Sequence, residues 1–212
     1  MEMITRYFTD FTEKQLQQIG ALKDLYQEWN NKINVISRKD IDFFYEHHVL
    51  HSLAIATQFE FPDNHRIMDL GTGGGFPGIP LAILFPDAHF HLVDSINKKL
   101  KVAEEVISAL ELSNVTVQHT RVEDLKDKKF DVVVSRAVAP LKDLWYWSKP
   151  LLKQQTTNNK QQSNIPRGLI CLKGGNLATE IAESRCKPFV WEIEKIFEES
   201  YFKHKYLLYV KY

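Results

Sequence analysis

One stretch of the chain has residue types that suit the binding of a small charged ligand. An apolar run that begins at residue 66 ends in Asp69, and a glycine-rich turn and an apolar helical segment, 79–85, follow. The glycines of the turn are Gly71, Gly73, Gly74 and Gly75. This order is typical of the first strand–turn–helix crossover of an α/β sheet. In such a unit the N–H groups at the start of the helix face a ligand that lies against the glycines.

Two ligand classes fit the turn, and an acidic residue favours one of them. The dinucleotide pattern G-x-G-x-x-G ends at Gly78, whereas the frame acidic-x-G-x-G-x-G starts at Asp69. A carboxylate at the end of the first strand would repel a pyrophosphate but attract the cationic amino group of S-adenosylmethionine (SAM). Asp94 ends the second apolar run, roughly 20 residues after Gly73, where an acid suits a ribose hydroxyl. SAM is the predicted cofactor, and a dinucleotide oxidoreductase is the distant alternative.

Further candidates follow the later strands, because ligands of doubly wound sheets bind at the carboxyl ends of strands. After the third strand, either Glu123 or Asp124 suits the exocyclic amine of adenine, and the Val122 N–H suits a ring nitrogen. Phe76, within the first turn, would pack beside the cofactor or anchor the turn. Each of these acids could equally be an exposed loop residue.

Cationic side chains follow three strands. Arg136 comes directly after the buried run 130–134, so its charge needs an acceptor such as a phosphate, a base oxygen or a carboxylate. A structural salt bridge is the alternative for Arg136. Lys173 holds the same place after the fifth strand, and together with Arg121 these residues would form a cationic rim.

Sequence motifs that the chain lacks exclude some classes of methyl acceptor. No Asn-Pro-Pro-aromatic segment follows the fourth strand, and neither Cys171 nor Cys186 lies where a covalent adduct with a pyrimidine would need it. An acceptor that is already nucleophilic remains, and the N7 of guanine is one example, because its lone pair carries no proton at neutral pH. Such a transfer needs in-line positioning and no general base. No metal is expected, because the histidines of the second helix lack further ligands at fixed spacing; they are His47, His48 and His51.

Composition indicates a single soluble domain of 212 residues with a helical addition. No apolar run approaches the roughly 20 residues of a membrane span, and no signal-like apolar block occurs near the N-terminus. We therefore expect a cytoplasmic protein without a membrane partner. A formal net charge of zero counts mildly against nucleic-acid binding, but it does not exclude local cationic clusters.

The elements that must position these residues fall into two regions. Residues 1–62 read as a helical extension, with a first helix over 12–30, a capping box at Thr12 and Gln15, and a second helix capped by Ser37. Residues 63–212 alternate between strand and helix, which predicts a mostly parallel sheet with helices on both faces. The predicted strands are 66–70, 89–94, 114–119, 130–135 and 168–173. Helices are expected at 77–85, 96–111, 140–152 and 176–186. The runs 190–199 and 204–211 are expected to form an antiparallel hairpin, and the polar stretch 154–164 a solvated loop.

Several segments together resemble one known family along nearly the whole chain. The family is the bacterial 16S rRNA guanine-N7 methyltransferases, also called glucose-inhibited division protein B. The glycine turn that runs into Phe-Pro-Gly-Ile-Pro is specific to it. The matching segments are 26–34, 48–53, 69–82, 93–95, 121–123, 135–137 and 172–174.

The resemblance implies a Rossmann-like SAM-dependent methyltransferase fold with an N-terminal helical extension. It also implies methyl transfer from SAM to N7 of one guanine of 16S rRNA, near the decoding region, in the small ribosomal subunit or its assembly intermediate. The cofactor contacts that it implies are Gly71, Phe76, Val122, Glu123 and Arg136, with Asp94 as the acid after the second strand. The candidate RNA contacts are Arg121, Arg136 and Lys173.

Asp69 and Gly73 complete the predicted cofactor site, and Arg136 and Lys173 are predicted to orient the guanine or a phosphate. The chain departs from the family pattern at His51, where the family often has Asp, and in the length of the 154–164 stretch. A monomer is the default expectation. The alternatives are a SAM methyltransferase that acts on a small molecule and a non-catalytic ribosome-assembly factor.

Overall fold

A seven-stranded sheet forms the centre of the molecule in the computed structural model, which describes residues 1–33, 35–37, 40–125, 128–154 and 165–212. The strand order is β3-β2-β1-β4-β5-β7-β6. The strands are β1 Arg66–Leu70, β2 His89–Asp94, β3 Val115–His119, β4 Val132–Arg136, β5 Gly168–Gly174, β6 Phe189–Glu192 and β7 Lys205–Lys211. The first five pair in parallel, and β7 runs antiparallel between β5 and β6. The predicted Rossmann-like sheet and the C-terminal antiparallel hairpin are confirmed.

Helices cover both faces of the sheet because its central strands are apolar on both sides. β4 and β5 are buried along nearly their whole length, and two apolar clusters lie against the two faces of the sheet. The helices are α1 Glu2–Tyr7, α2 Glu13–Lys32, α3 His51–Leu53, α4 Gly78–Leu84, α5 Asn97–Ala109, α6 Leu141–Ser148 and α7 Ala178–Ser184. The chain reverses its direction across the sheet between β1 and β4, so the carboxyl ends of these two strands flank the place where ligands of such sheets bind.

Two glutamines of α2 attach the N-terminal helices to the sheet region. Gln15 forms the predicted capping box with Thr12, and its Nε2 also donates to the carbonyl oxygen of Ile83 at 2.9 Å. Gln18 Nε2 donates to the carbonyl oxygen of Leu110 at 2.7 Å. Both contacts satisfy carbonyl groups at or just after the last turn of a helix, which have no partner within the helix.

The second predicted helix begins later than expected. Helical structure starts with a π-helical turn at Tyr45–Leu50, continues through α3, and ends with a 3₁₀ turn at Ala54–Thr57. The Ser37 hydroxyl accepts from the Asp40 N–H at 3.2 Å and closes a turn before the helix rather than capping it. The short helix α1 was not predicted, and the polar stretch 154–164 lies outside the described residues except for Gln154. Within the described ranges, no helix combines the length and apolar character needed to span a membrane.

We predict that Gln18→Met lowers the free energy of unfolding by about 1–3 kcal/mol, because the Leu110 carbonyl is left buried without its donor. Gln17→Met is the matched control, since the neighbouring Gln17 is exposed and should tolerate the change. Urea unfolding of both variants measures the effect. Equal stabilities would contradict an anchoring role for Gln18.

Candidate functional site

A cavity of about 590 Å³ opens at the carboxyl ends of the central strands. Its walls come from the glycine turn after β1, the ends of β2 and β4, the segment after β3, and the N-terminal region. Eight of the ten predicted site residues line it, and Asp69 and Lys173 do not. The eight are Gly71, Gly73, Phe76, Asp94, Arg121, Val122, Glu123 and Arg136.

Asp94 fixes the glycine turn and still has acceptor capacity toward the cavity. Its Oδ2 accepts from the Gly73 N–H at 2.8 Å, and its Oδ1 accepts from the Ile96 N–H at 2.8 Å. A carboxylate offers about four lone-pair sites, so each oxygen can accept one more hydrogen bond. This arrangement suits the hydroxyl groups of a ribose.

The backbone at Gly71 requires glycine for two reasons. Its φ is 70°, and a Cβ placed there would lie 2.5 Å from the side chain of Val138. The segment after β4 therefore packs directly on the turn after β1. A second contact comes from Tyr26 in α2, whose hydroxyl donates to the Gly74 carbonyl at 2.5 Å. Tyr26 lies within the first predicted helix, 12–30, and helical spacing gives no sign of this bond.

Asp69 lies behind the turn rather than on the cavity wall. Its Oδ2 accepts from the Thr72 hydroxyl at 2.6 Å and from the Gly78 N–H at 2.7 Å, and the residue is 0% exposed. Among the described residues, its Oδ1 has no hydrogen-bond partner. Burial raises the pKa of Asp69 to about 7, against the opposing effect of these two hydrogen bonds. Its visible role is to tie the turn to the start of α4.

Arg136 reaches from the end of β4 toward the N-terminal region. Its Nη1 donates to the His47 carbonyl at 3.1 Å, its Nη2 lies 3.0 Å from His48 Nδ1, and its Cζ lies 5.0 Å from the centre of the Phe76 ring. In the part of the chain that the structure describes, no carboxylate lies within salt-bridge distance of this guanidinium. The predicted alternative of a structural salt bridge is therefore not what the described residues show. Arg136 is a guanidinium on the cavity wall whose protein partners are uncharged.

His48 is held in the form that accepts from Arg136. Burial, and then the nearby guanidinium, lower the pKa of His48 to about 3, so its ring is neutral at physiological pH. Phe76 packs between this ring, at 5.0 Å, and the ring of Tyr26, at 4.8 Å. Phe76 thus lines the cavity and packs within the core beside the turn, and its contact with a cofactor stays a prediction.

The structure separates the two acids after β3. Glu123 lines the cavity and Asp124 does not, so Glu123 is the candidate for an adenine amine. Val122 and the exposed Arg121 line the same wall.

The structure does not place Lys173 on a cationic rim. Lys173 is 8% exposed, and its Nζ lies 2.6 Å from Glu180 Oε1. The same Nζ also donates to the Ala139 carbonyl. The prediction had rested on its place after a buried strand. Lys173 instead lies within β5, one residue before the strand ends, and it forms an ion pair with Glu180 of α7. The pair joins a strand to the helix after it, so neither helical nor strand spacing indicates it.

The histidines of the N-terminal region do not form a metal centre with other ligands. No group of three or more His, Cys, Asp or Glu residues that could hold an ion occurs within the described residues. His47 Nδ1 lies 2.8 Å from Asp40 Oδ1, and its ring stacks on Tyr201 at 3.8 Å. His51 is buried against Tyr201, and burial lowers its pKa well below the usual value.

The N-terminal region supplies cavity residues that sequence reasoning did not single out. Val35, Ile36 and His48 line the cavity, and Val35 also packs against Gly74. Lys99 of α5 and Trp147 of α6 complete the walls. The short apolar pair at 35–36 carried no recognisable signal, because it lies in a loop between two helices.

We predict that Asp69→Asn has a higher free energy of unfolding than wild type, and that this difference becomes larger as pH rises. The pKa of Asp69 is higher in the folded state, about 7 against 3.8, so the folded protein holds the proton more tightly and loses stability as pH rises from about 4 to about 7. Asn cannot ionise, so the variant escapes this loss, which amounts to about 4 kcal/mol in full. Urea unfolding at pH 4.5, 6 and 8 measures the difference between variant and wild type. The exposed Asp124→Asn is the control, and a pH-independent difference for Asp69→Asn would refute the assignment.

Comparisons with known proteins agree with one another. The family model GidB, described as rRNA small subunit methyltransferase G, matches residues 15–204. A protein of Phocaeicola vulgatus named ribosomal RNA small subunit methyltransferase G is 54% identical over 210 residues, covering 99% of this chain and 98% of that protein. A protein of the same name from Bacteroides thetaiotaomicron is 54% identical over 209 residues, with the same coverage of both chains.

A solved structure supports the fold independently. A SAM-dependent methyltransferase from Aquifex aeolicus superposes with a TM-score of 0.54 at 15% identity, covering 82% of this chain and 98% of that chain. The sheet described above is thus of the Rossmann-like methyltransferase type. By its family model and by relatives that match over nearly its whole length, the chain belongs to the GidB family of rRNA small subunit methyltransferases.

Proposed function

We propose that this enzyme transfers a methyl group from SAM to N7 of one guanine in 16S rRNA, within the small ribosomal subunit or its assembly intermediate. Family membership supports the reaction class and the RNA. The observation that carries the site assignment is Arg136, a guanidinium on the cavity wall with only uncharged protein partners among the described residues. We place the reaction in the cytoplasm and expect the enzyme to act as a monomer.

The residues of the cavity fit SAM. The cavity volume, about 590 Å³, lies within the ~300–1,000 Å³ of small-molecule sites. Asp94 offers acceptors for ribose hydroxyls, and Glu123 and Val122 offer an acceptor and a donor for adenine. Asp69 does not line the cavity and its Oδ1 is buried, so we assign Asp69 to holding the glycine turn that receives SAM rather than to direct contact with the cofactor. When bound, SAM supplies an electrophilic methyl group.

Strand order gives the direction of the site. Asp94 ends β2 and Glu123 follows β3, on one side of β1, and Arg136 ends β4, on the other side. We expect the adenosine to lie over the first group and the guanine to approach from the second. Arg136 uses two donors on the protein, and a guanidinium has five, so it can bind the guanine O6 or a neighbouring phosphate.

The chain's own contribution is positioning. Guanine N7 needs no deprotonation, so no residue has to act as a general base, and no covalent enzyme intermediate is required. His48 stays neutral and accepts a hydrogen bond from Arg136. The guanidinium of Arg136 also lies over the ring of Phe76. We propose that residues 1–62 form an extension that closes the guanine side through Val35, Ile36 and His48.

Methyl transfer from labelled SAM tests the proposal. Unmodified small-subunit particles and protein-free 16S rRNA are offered separately, and the product is mapped by chain cleavage at N7-methylguanine. Label at a single guanine would support the proposal. The preferred substrate would show whether the enzyme recognises ribosomal proteins in addition to the RNA. SAM binding without label in either RNA would overturn it and favour a small-molecule acceptor.

We predict that Arg136→Lys and Arg136→Ala both lower kcat/KM for the RNA substrate by about 100-fold, because one or two charge-assisted hydrogen bonds are lost. Lysine is not expected to rescue, since a single ammonium cannot hold His47 and His48 and still bind the substrate with a planar fork. Steady-state kinetics at fixed salt measure the loss. Arg6→Ala is the control, because Arg6 is an exposed arginine that pairs with Glu199 at 3.6 Å. The kcat/KM of this variant should stay within about twofold of wild type. Full activity of Arg136→Ala would contradict the assigned role.

A further inference from the structure

We propose that Lys173 and Glu180 are a positioning pair that holds the segment 137–140, after β4, in the shape that methyl transfer requires. Neither residue lines the cavity, so the pair acts through the segment and not on the substrate. The expected kinetic effect rests on the function proposed above.

The segment 137–140 forms part of the cavity wall at a critical place. Ala137 and Val138 line the cavity directly after Arg136. The Val138 side chain occupies the space where a Cβ on Gly71 would stand. A shift of the segment would therefore move the wall between the glycine turn and the guanidinium that we assign to the substrate.

The ion pair holds the segment at two points. Lys173 Nζ donates to the Ala139 carbonyl, inside the segment. Glu180 Oε1 accepts from the Leu141 N–H at 2.7 Å, directly after it. The two side chains are joined at 2.6 Å, so one interaction fixes a carbonyl and an amide on either side of Pro140. At the other end of the segment, the Ala137 N–H donates to the Leu172 carbonyl of β5 at 3.2 Å.

Glu180 also replaces a missing helix cap. α6 begins at Leu141, and Pro140, at the N-cap position, has no side-chain group to accept from the first N–H groups. A carboxylate from α7 takes this role, and the partial positive charge at the start of a helix favours a negative group there. The start of α6 is therefore set by a residue 39 positions later in the chain.

Ala137 shows why the segment needs to be held. Its φ is 51°, in the left-handed region that a residue with a Cβ rarely adopts. Such a conformation persists only where the surrounding structure determines it, and it occurs preferentially at functional sites. The contacts of Lys173 and Glu180 supply that determination two and four residues later.

A second ion pair in the chain provides a matched control. Lys153 Nζ lies 2.7 Å from Asp131 Oδ2, and this oxygen also accepts from the Arg66 N–H at 3.0 Å. Like the first pair, it joins a lysine to a carboxylate that holds a backbone N–H. It lies at the opposite end of the sheet, where β1 begins, and neither residue lines the cavity.

The experiment compares the double variants Lys173→Met/Glu180→Gln and Asp131→Asn/Lys153→Met with wild type. Each double variant removes one ion pair without leaving an unpaired charge. We measure kcat on small-subunit particles, SAM affinity by calorimetry, unfolding in urea, and amide hydrogen exchange of the peptide 137–144.

We expect Lys173→Met/Glu180→Gln to lower kcat between about 10- and 100-fold, as misplacement of a wall by about 1 Å can do. SAM affinity should change by less than about threefold, and exchange in 137–144 should be roughly tenfold faster. The control pair should lose stability in urea but keep kcat within about twofold.

A kcat within about twofold of wild type in the first double variant, with unchanged exchange, would overturn the proposal. So would an equal loss of kcat in both double variants, because it would show only a general effect of stability. If wild type itself fails to methylate the particles, the proposed function fails instead, and the exchange measurement alone then tests the positioning pair.

Discussion

Three charged side chains stand at or next to the carboxyl ends of adjacent strands, and each is held in the interior by protein groups. They are Asp69 on β1, Arg136 on β4 and Lys173 on β5. A charge removed from water is costly unless hydrogen bonds or an opposite charge replace the lost hydration. Their partners lie on different segments of the chain, so the three side chains determine how those segments lie against the sheet. For Asp69 the hydrogen bonds offset burial only in part, and its pKa stays raised.

Each charge organises a different wall of the cavity. Asp69 draws in the Thr72 hydroxyl and the Gly78 N–H, which shapes the glycine turn. Arg136 binds a carbonyl and a neutral imidazole of the N-terminal region, and so brings that region to the end of β4. Lys173 and Glu180 together hold the segment after β4, through the Ala139 carbonyl and the Leu141 N–H. Arg136 keeps donors for a ligand, and the proposed RNA contact would let a chain with no net charge present a local cation to RNA.

Much of the fold could be predicted, because periodicity and glycine placement are local signals. The bounds predicted for β1 and β2 match the structure, and the parallel order and the terminal hairpin followed from the alternation of elements. The start of the second helix was misplaced, since Ser37 can close a turn as well as cap a helix. At the site, residues placed directly after strands were found where expected. Roles that depend on distant partners were not: Lys173 with Glu180, Tyr26 with Gly74, and the buried orientation of Asp69.

The position of β7 between β5 and β6 has a consequence for biosynthesis. β6 pairs only with β7 among the described strands, so it cannot join the sheet when it is made. Until residues 205–211 have been synthesised, β5 presents an unpaired, apolar edge next to four strands that are already able to pair. Such an edge is a template for pairing with other chains. In the folded protein β7 covers this edge of β5, and the four residues of β6 leave only a short strand at the margin of the sheet, which limits pairing with other chains.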